Sequence, residues 1–588
     1  MTRTAPPRPE DGAGSMATWR PEVMGTRHVV AAGHHMAAQA GFAILEAGGN
    51  AVDAGVASCV ALAVLQSEMV NVAGVAPMMI YCARTQEVIT ISGLGSWPRA
   101  ATLELFAADH GGRIPQGILR TVIPAAPDAW ITALEHYGTM GFGEVAAAAI
   151  DLAARGFPMY PLMAARIAEN ADDFRRWPSS AAIYLPGGAP PRVGEIFVQA
   201  DLARSLQYMA DQERAALKGG RVAGLQAARD AFYRGDLART IVAYHRQHGG
   251  LLTLEDLAAF RVGIESPVCT QFAGMQVYAC GPWCQGPVLL QMLNILDGVD
   301  LRGLGHNSPA YLHSLIEAMK LAFADRERFY GDPRFVDVPM AALLSADYAA
   351  LRRSLCRPGA AWPGLPPAGD PLAGKATASA EGAALPAARD AGSGLDTSYT
   401  CAVDAAGNVF SATPSDVAND TPVIPGTGFC PSSRGSQSWA VPGHVSCVAP
   451  GKRPRLTPNP GLAIKPGEFA LPYGTPGGDI QPQAMLQTLL NVVVFGMDLQ
   501  EAVEQPRVGT LSFPNSFEPH AYMPGRINLE SRLAAATGDQ LAAWGHDVDW
   551  WPEVSWRAGS VCMIKADQQT SVKRGAADPR RQSFAIGW

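Results

Sequence analysis

The sequence predicts an α+β globular fold, and three observations carry that expectation. Two apolar runs, Pro77 to Cys82 and Glu87 to Ser92, are separated by polar residues and read as a hairpin of buried strands. A second hairpin is expected where Ser398 to Asp404 and Val409 to Thr413 flank a short turn with Gly407 and Asn408. Between the two, helical patterns dominate from Asp128 to Glu169, from Asp201 to Gln247 and from Pro309 to Phe329.

Taken in order, the chain opens with a polar, proline-rich stretch, residues 1–24, read as disordered. His34 to Ala47 is rich in Ala, Met, Ile and Leu and reads as a helix. Gly48 and Gly49 stop it, because glycine enters a left-handed C-terminal cap without a steric penalty. Asn50 is placed to cap the next helix, AVDAGVASCVALAVL, so two helices should pack across a Gly-Gly-Asn corner. Residues 358–396 shift to Pro, Gly and Ala with scattered charges and read as a flexible linker. The segment from Gln481, QPQAMLQTLLNVVVF, again reads as a helix.

With 588 residues, 48% of them hydrophobic and 17% charged, the chain has ample material for a buried core. A formal net charge of -7 gives no broad attraction to phosphate backbones or anionic lipid, so neither nucleic acid nor a membrane surface is an expected partner. The ten cysteines are scattered. The one close pair, Cys280 and Cys284, lacks the second pair or histidine that a zinc site needs, and no metal is expected. The N-terminus lacks the charged start and apolar run of a secretory signal, and Ala54 to Leu65 is too short to span a bilayer. The expected location is the cytoplasm.

Chemistry becomes readable at the end of the linker. A threonine hydroxyl needs a base, and a threonine that begins a chain can use its own α-amine. Thr397 would meet that condition if the peptide bond after Asp396 were broken. Attack of its hydroxyl on the Asp396 carbonyl, an N-to-O acyl shift and ester hydrolysis would break it. Taken alone, a threonine at a strand start is more often a β-propensity residue.

The segments AILEAGGNAVDAGVA (Ala43 to Ala57), DTSYTCAVDAAGN (Asp396 to Asn408), APGKRP (Ala449 to Pro454) and GTPGGD (Gly474 to Asp479) together resemble the γ-glutamyltransferase family of N-terminal-nucleophile hydrolases, in that family's order. The resemblance implies a four-layer αββα sandwich. It also implies a precursor split into a large subunit, residues 25–396, and a small subunit, 397–588. Thr397 matches the processing and catalytic threonine, Ser398 a second hydroxyl residue, and Ser415 a hydroxyl that bonds the nucleophile. Gly477 and Gly478 match a glycine pair whose N–H groups stabilise an oxyanion. No cofactor is implied, since nucleophile, base and oxyanion donors all come from the chain. The implied partners are a small amide or peptide-like substrate and water or an amine acceptor.

Departures from the family pattern bear on specificity. Leu94 stands where glutathione-cleaving members have an arginine for the substrate carboxylate, and Leu456 and Thr457 stand where they have two serines. Arg434, Ser436 and Gln437 replace the expected acidic residues. Arg434 and Arg455 offer planar donors to a carboxylate, so Arg434, Arg455 and Thr457 are the candidate substrate contacts, for an amide other than glutathione. The competing readings are a non-catalytic, unprocessed homologue acting as a scaffold, and an unrelated hydrolase using His34 or His35.

Overall fold

The computed structural model describes residues 18–377 and 396–588. Residues 1–17 of the expected disordered start and 378–395 of the expected linker lie outside the described residues.

Two seven-stranded sheets form the centre. One runs, in spatial order, Phe584–Gly587, Val29–Ala32, Thr400–Val403, Val409–Ala412, Met78–Cys82, Glu87–Ile91 and Ile264–Glu265. The other runs Val23–Gly25, Lys573–Ala577, Cys562–Asp567, Phe469–Gly474, Gly461–Lys465, Met275–Ala279 and Val268–Phe272. Both predicted hairpins are present, with Met78 opposite Ile91 and Thr400 opposite Ala412.

Strand alternation builds the layers. Val29, Ala31, Met79, Tyr81, Cys401 and Val403 point into an apolar layer shared with Leu462, Ile464, Ala470, Cys562 and Ile564 of the second sheet. Their neighbours Val30, Ala32, Met78, Ile80 and Ala402 point the other way, onto a helical layer. Because both faces are covered, these strands read as continuous apolar runs rather than alternating ones. Gly286–Leu296, Pro309–Phe329 and Gln481–Val493 cover the outer face of the second sheet. The order helix, sheet, sheet, helix is the four-layer αββα sandwich.

The helices of the first layer follow their local signals. His34 caps His35–Glu46 by accepting the Met36 N–H, and Asn50 forms a capping box with Asp53 at the start of Ala51–Leu65. Every residue of that second helix is buried. It lies on the Thr400 hairpin so closely that a Cβ added at Gly55 would sit 2.0 Å from the Phe410 ring.

Ordered structure reaches further than composition suggests. The Trp19 N–H donates to Glu504 at 2.7 Å, and Val23–Gly25 is a strand. Within residues 358–377, the Gly369 N–H donates to Asp325 at 2.9 Å, while Arg352 donates to the carbonyls of Pro367 and Ala376. Backbone groups of this segment make the contacts, so its side-chain composition carries no trace of them. Among the described residues no helix is long and apolar enough to cross a membrane.

The Gly55 contact yields a stability prediction. Gly55→Val should force Phe410 off its seat, costing about 1–3 kcal/mol as overpacked core sites do, and lower the midpoint of thermal unfolding. An unchanged midpoint would mean that the helix does not lie on the hairpin as described.

Candidate active site

The segment entering the Thr400–Val403 strand is held on both sides. Ser398 N–H donates to the Pro414 carbonyl at 3.0 Å, and Gly33 N–H donates to the Tyr399 carbonyl at 2.9 Å. Thr397 pairs with Ser415, which in turn exchanges backbone hydrogen bonds with Val75. Gly33 approaches closely here: a Cβ would lie 2.2 Å from Ser398 Oγ and displace that hydroxyl. Asp396, Thr397, Ser398 and Ser415 are all buried.

This pairing brings three oxygens together. Thr397 Oγ1 is 2.7 Å from Ser415 Oγ, and Ser415 Oγ donates to the Asp396 carbonyl at 2.9 Å. A hydroxyl carries one proton, so Ser415, having given its own to Asp396, must accept from Thr397. Arg434 also donates to Ser415 Oγ, and its Nη2 stands 3.5 Å from the Asp396 carbonyl oxygen. The carbonyl of the Asp396–Thr397 peptide bond is therefore polarised by a hydroxyl and a guanidinium, in a site closed to solvent.

Asp416 fixes the guanidinium. Its carboxylate lies 3.6 Å from Arg434 Nε and accepts from Ser432 Oγ at 2.5 Å and from Ser433 N–H and Oγ at 3.0 and 2.7 Å. Burial pushes the Asp416 carboxyl up and the Arg434 guanidinium down, each opposed by the other. Asp416 also has a φ of 133°, a conformation an L-residue adopts only under constraint, at a typical cost of about 1–3 kcal/mol. That strained turn aims the Ser415 side chain at Thr397 on one side and the Asp416 carboxylate at Arg434 on the other.

The glycine pair arrives from the second sheet. Gly474 ends its strand against the Tyr399 ring, where a Cβ would be 2.3 Å from a ring carbon, and the loop carrying the glycine pair follows it directly. Gly477 and Gly478 have φ of 123° and 56°, and among the described residues their N–H groups find no acceptor. Gln285 locks the loop by donating to the carbonyls of Gly478 at 2.8 Å and Thr457 at 3.0 Å. Arg326 supports Gln285 and pairs with Asp479 at 2.5 Å.

Comparison with known proteins agrees with this geometry. The family model described as Gamma-glutamyltranspeptidase matches residues 37–588. The chain belongs to the gamma-glutamyltranspeptidase family. It is 34% identical over 545 residues to the Acylase ACY 1 proenzyme of Pseudomonas sp. (strain SE83), covering 90% of this chain and 89% of that one. It is 31% identical to the Glutathione hydrolase-like YwrD proenzyme of Bacillus subtilis, over 96% of this chain and 99% of the relative. The crystal structure of cephalosporin acylase from Bacillus halodurans superimposes with a TM-score of 0.83 at 28% identity, covering 99% of both chains.

Two of the positions read in the sequence as departures from the family pattern lie together. Leu94 and Leu456 pack together with Val75, Cys280, Trp283 and Cys284 in one buried apolar group, next to the Val75–Ser415 pairing. Arg434 sits at the Asp396 carbonyl. Arg455 is elsewhere engaged: its Nη2 pairs with Glu327 at 2.8 Å and its Nη1 donates to the Arg326 carbonyl. Thr457 Oγ1 accepts from Gln437 at 2.8 Å. His34 serves as a helix cap, and burial drives its pKa down to about 3. One group of metal-ligating types comes together among the described residues, His313, Glu317 and His546, but the Lys320 ammonium already pairs with Glu317 at 2.9 Å.

Three functional neighbours escaped the sequence reading. Asp416 follows Ser415 directly, and nothing local marks its strained turn. Arg581 reaches back from near the C-terminus to Asp396 Oδ2 at 2.7 Å. Glu68 is buried, accepts from the Tyr160 hydroxyl at 3.2 Å, and is pushed up to about 7 by burial and, to a lesser degree, by the charge of Asp396. No spacing rule links positions so distant in the chain.

Two predictions follow from this geometry. Ser415→Ala removes the donor to the Asp396 carbonyl and should slow chain cleavage by about 10²-fold or more, followed by intact mass over time. Glu68 has a folded pKa above its unfolded value, so the folded state binds the extra proton and loses stability as pH rises from about 4.5 to about 7. Glu68→Gln should flatten that fall in denaturant titrations across the same window; an unchanged pH profile would show that Glu68 is not protonated in the fold.

Proposed function

We propose that the protein is a self-processing amide hydrolase whose nucleophile is Thr397, released as an N-terminus by cleavage of the Asp396–Thr397 bond. The observation that carries this reading is the hydrogen-bonded series from Thr397 Oγ1 through Ser415 Oγ to the Asp396 carbonyl oxygen.

The series also sets the proton path. As Thr397 Oγ1 bonds to the Asp396 carbonyl carbon, its proton moves to Ser415 and the Ser415 proton moves to the carbonyl oxygen, with Arg434 stabilising the charge that develops there. Collapse of this intermediate breaks the C–N bond and returns the proton to the Thr397 nitrogen, leaving an ester. Water then releases the Asp396 carboxylate and restores the hydroxyl, now beside a free α-amine that serves as base in later turnovers. The Gly477 and Gly478 N–H groups receive the oxyanion of the substrate. Processing is supported by the relatives, both named proenzymes. Hydrolysis by an enzyme of acylase type is supported by the first relative and by the Bacillus halodurans structure. An apolar wall at Leu94 and Leu456 argues against a free γ-glutamyl group, whose charged α-carboxylate would meet no donor there.

A denaturing gel of the purified protein beside its Thr397→Ala variant tests the proposal. Two fragments are expected for the wild type, the smaller beginning Thr-Ser-Tyr, and a single full-length chain for the variant. An intact wild-type chain would favour a non-catalytic scaffold protein instead.

A further inference from the structure

Self-cleavage makes residue 396 the first acyl group that Thr397 attacks, so the surroundings of Asp396 describe a binding site for an acyl group. We infer that Arg581 is a specificity-determining residue that holds a carboxylate on the substrate's acyl chain, and that the preferred substrates are amides of succinyl type. This inference rests on Thr397 being the nucleophile.

The argument starts from one ion pair. Arg581 Nη1 meets Asp396 Oδ2 at 2.7 Å, with both side chains only 2% exposed. The other contacts of the guanidinium are the Trp556 carbonyl, at 2.9 and 3.2 Å, the Met69 sulfur at 3.7 Å and the face of the Trp556 ring. None of them carries negative charge. Glu68 stands near Asp396, where one of its oxygens accepts from the Tyr160 hydroxyl and burial pushes its carboxyl up to about 7.

Cleavage severs the covalent tie that keeps Asp396 beside Arg581. A buried charge stripped of its partner is strongly unfavourable, so the processed site demands a new anion at the same place. In Asp396 the reacting carbonyl and the carboxylate are separated by Cα and Cβ, the skeleton of a succinyl group. A substrate of this kind puts its carbonyl at Thr397 and its carboxylate at Arg581 together. Thr397 Oγ1 then forms the new ester bond as the amide C–N bond breaks, the departing amine takes the proton, and water completes hydrolysis. Arg455, held by Glu327, takes no part.

The test uses the full-length protein, checked for cleavage on a gel, with N-succinyl-p-nitroanilide and N-butyryl-p-nitroanilide as matched probes. The succinyl compound should be favoured in kcat/KM by at least about tenfold, and succinate should inhibit competitively. In Arg581→Gln the ratio of the two kcat/KM values should collapse towards one. Arg581→Lys, which keeps the charge, should restore part of it. If Arg581→Gln fails to cleave itself, the wild-type ratio and succinate inhibition decide the matter alone. A cleaved wild type that prefers the butyryl compound or treats both alike overturns the role of Arg581 while leaving Thr397 in place. A wild type that neither cleaves nor hydrolyses either compound overturns both readings.

Discussion

Everything at the candidate site depends on a buried hydroxyl that can give only one proton. Ser415 spends it on the Asp396 carbonyl, which obliges it to accept from Thr397. Directionality in the precursor thus comes from hydrogen-bond arithmetic rather than from a dedicated base. Keeping that hydroxyl aimed requires the strained φ of Asp416, and the strain persists because the Asp416 carboxylate is fully engaged by Ser432, Ser433 and Arg434. Two sheets meet at the segment: one supplies Thr397 and Ser415, and Gly474 of the other packs on the Tyr399 ring.

The site is built to be polar on one side and apolar on the other. Arg434 and Arg581 approach Asp396 from within the protein, each buried. Leu94 and Leu456, far apart in the chain, fill one apolar cluster beside Val75. A lone buried polar group placed in such a cluster would lack a partner.

What the sequence made legible was local. The Asn50 cap, the Gly48-Gly49 stop and the two hairpins rest on backbone preferences within a few residues, and the structure has them nearly at the expected bounds. Thr397 and Ser415, expected to meet from the motif at Asp396 and from counting along the hairpin, do lie within hydrogen-bond distance. Arg581, Glu68 and Asp416 were not readable, since each acts through a contact made only after the fold brings distant segments together. Arg455 illustrates the converse: a donor to a substrate carboxylate was expected, but Glu327 near the end of its helix engages it. The strands of the second sheet beyond Gly461 also went unread.

Trapping the ester between Asp396 and Thr397 tests the central claim most directly. Slowly processing Ser415→Ala protein, denatured part-way through cleavage and treated with hydroxylamine, should yield a large fragment ending in an Asp396 hydroxamate, identified by peptide mass spectrometry. A free carboxylate alone at Asp396, or a chain break at any other bond, would contradict attack by the Thr397 hydroxyl.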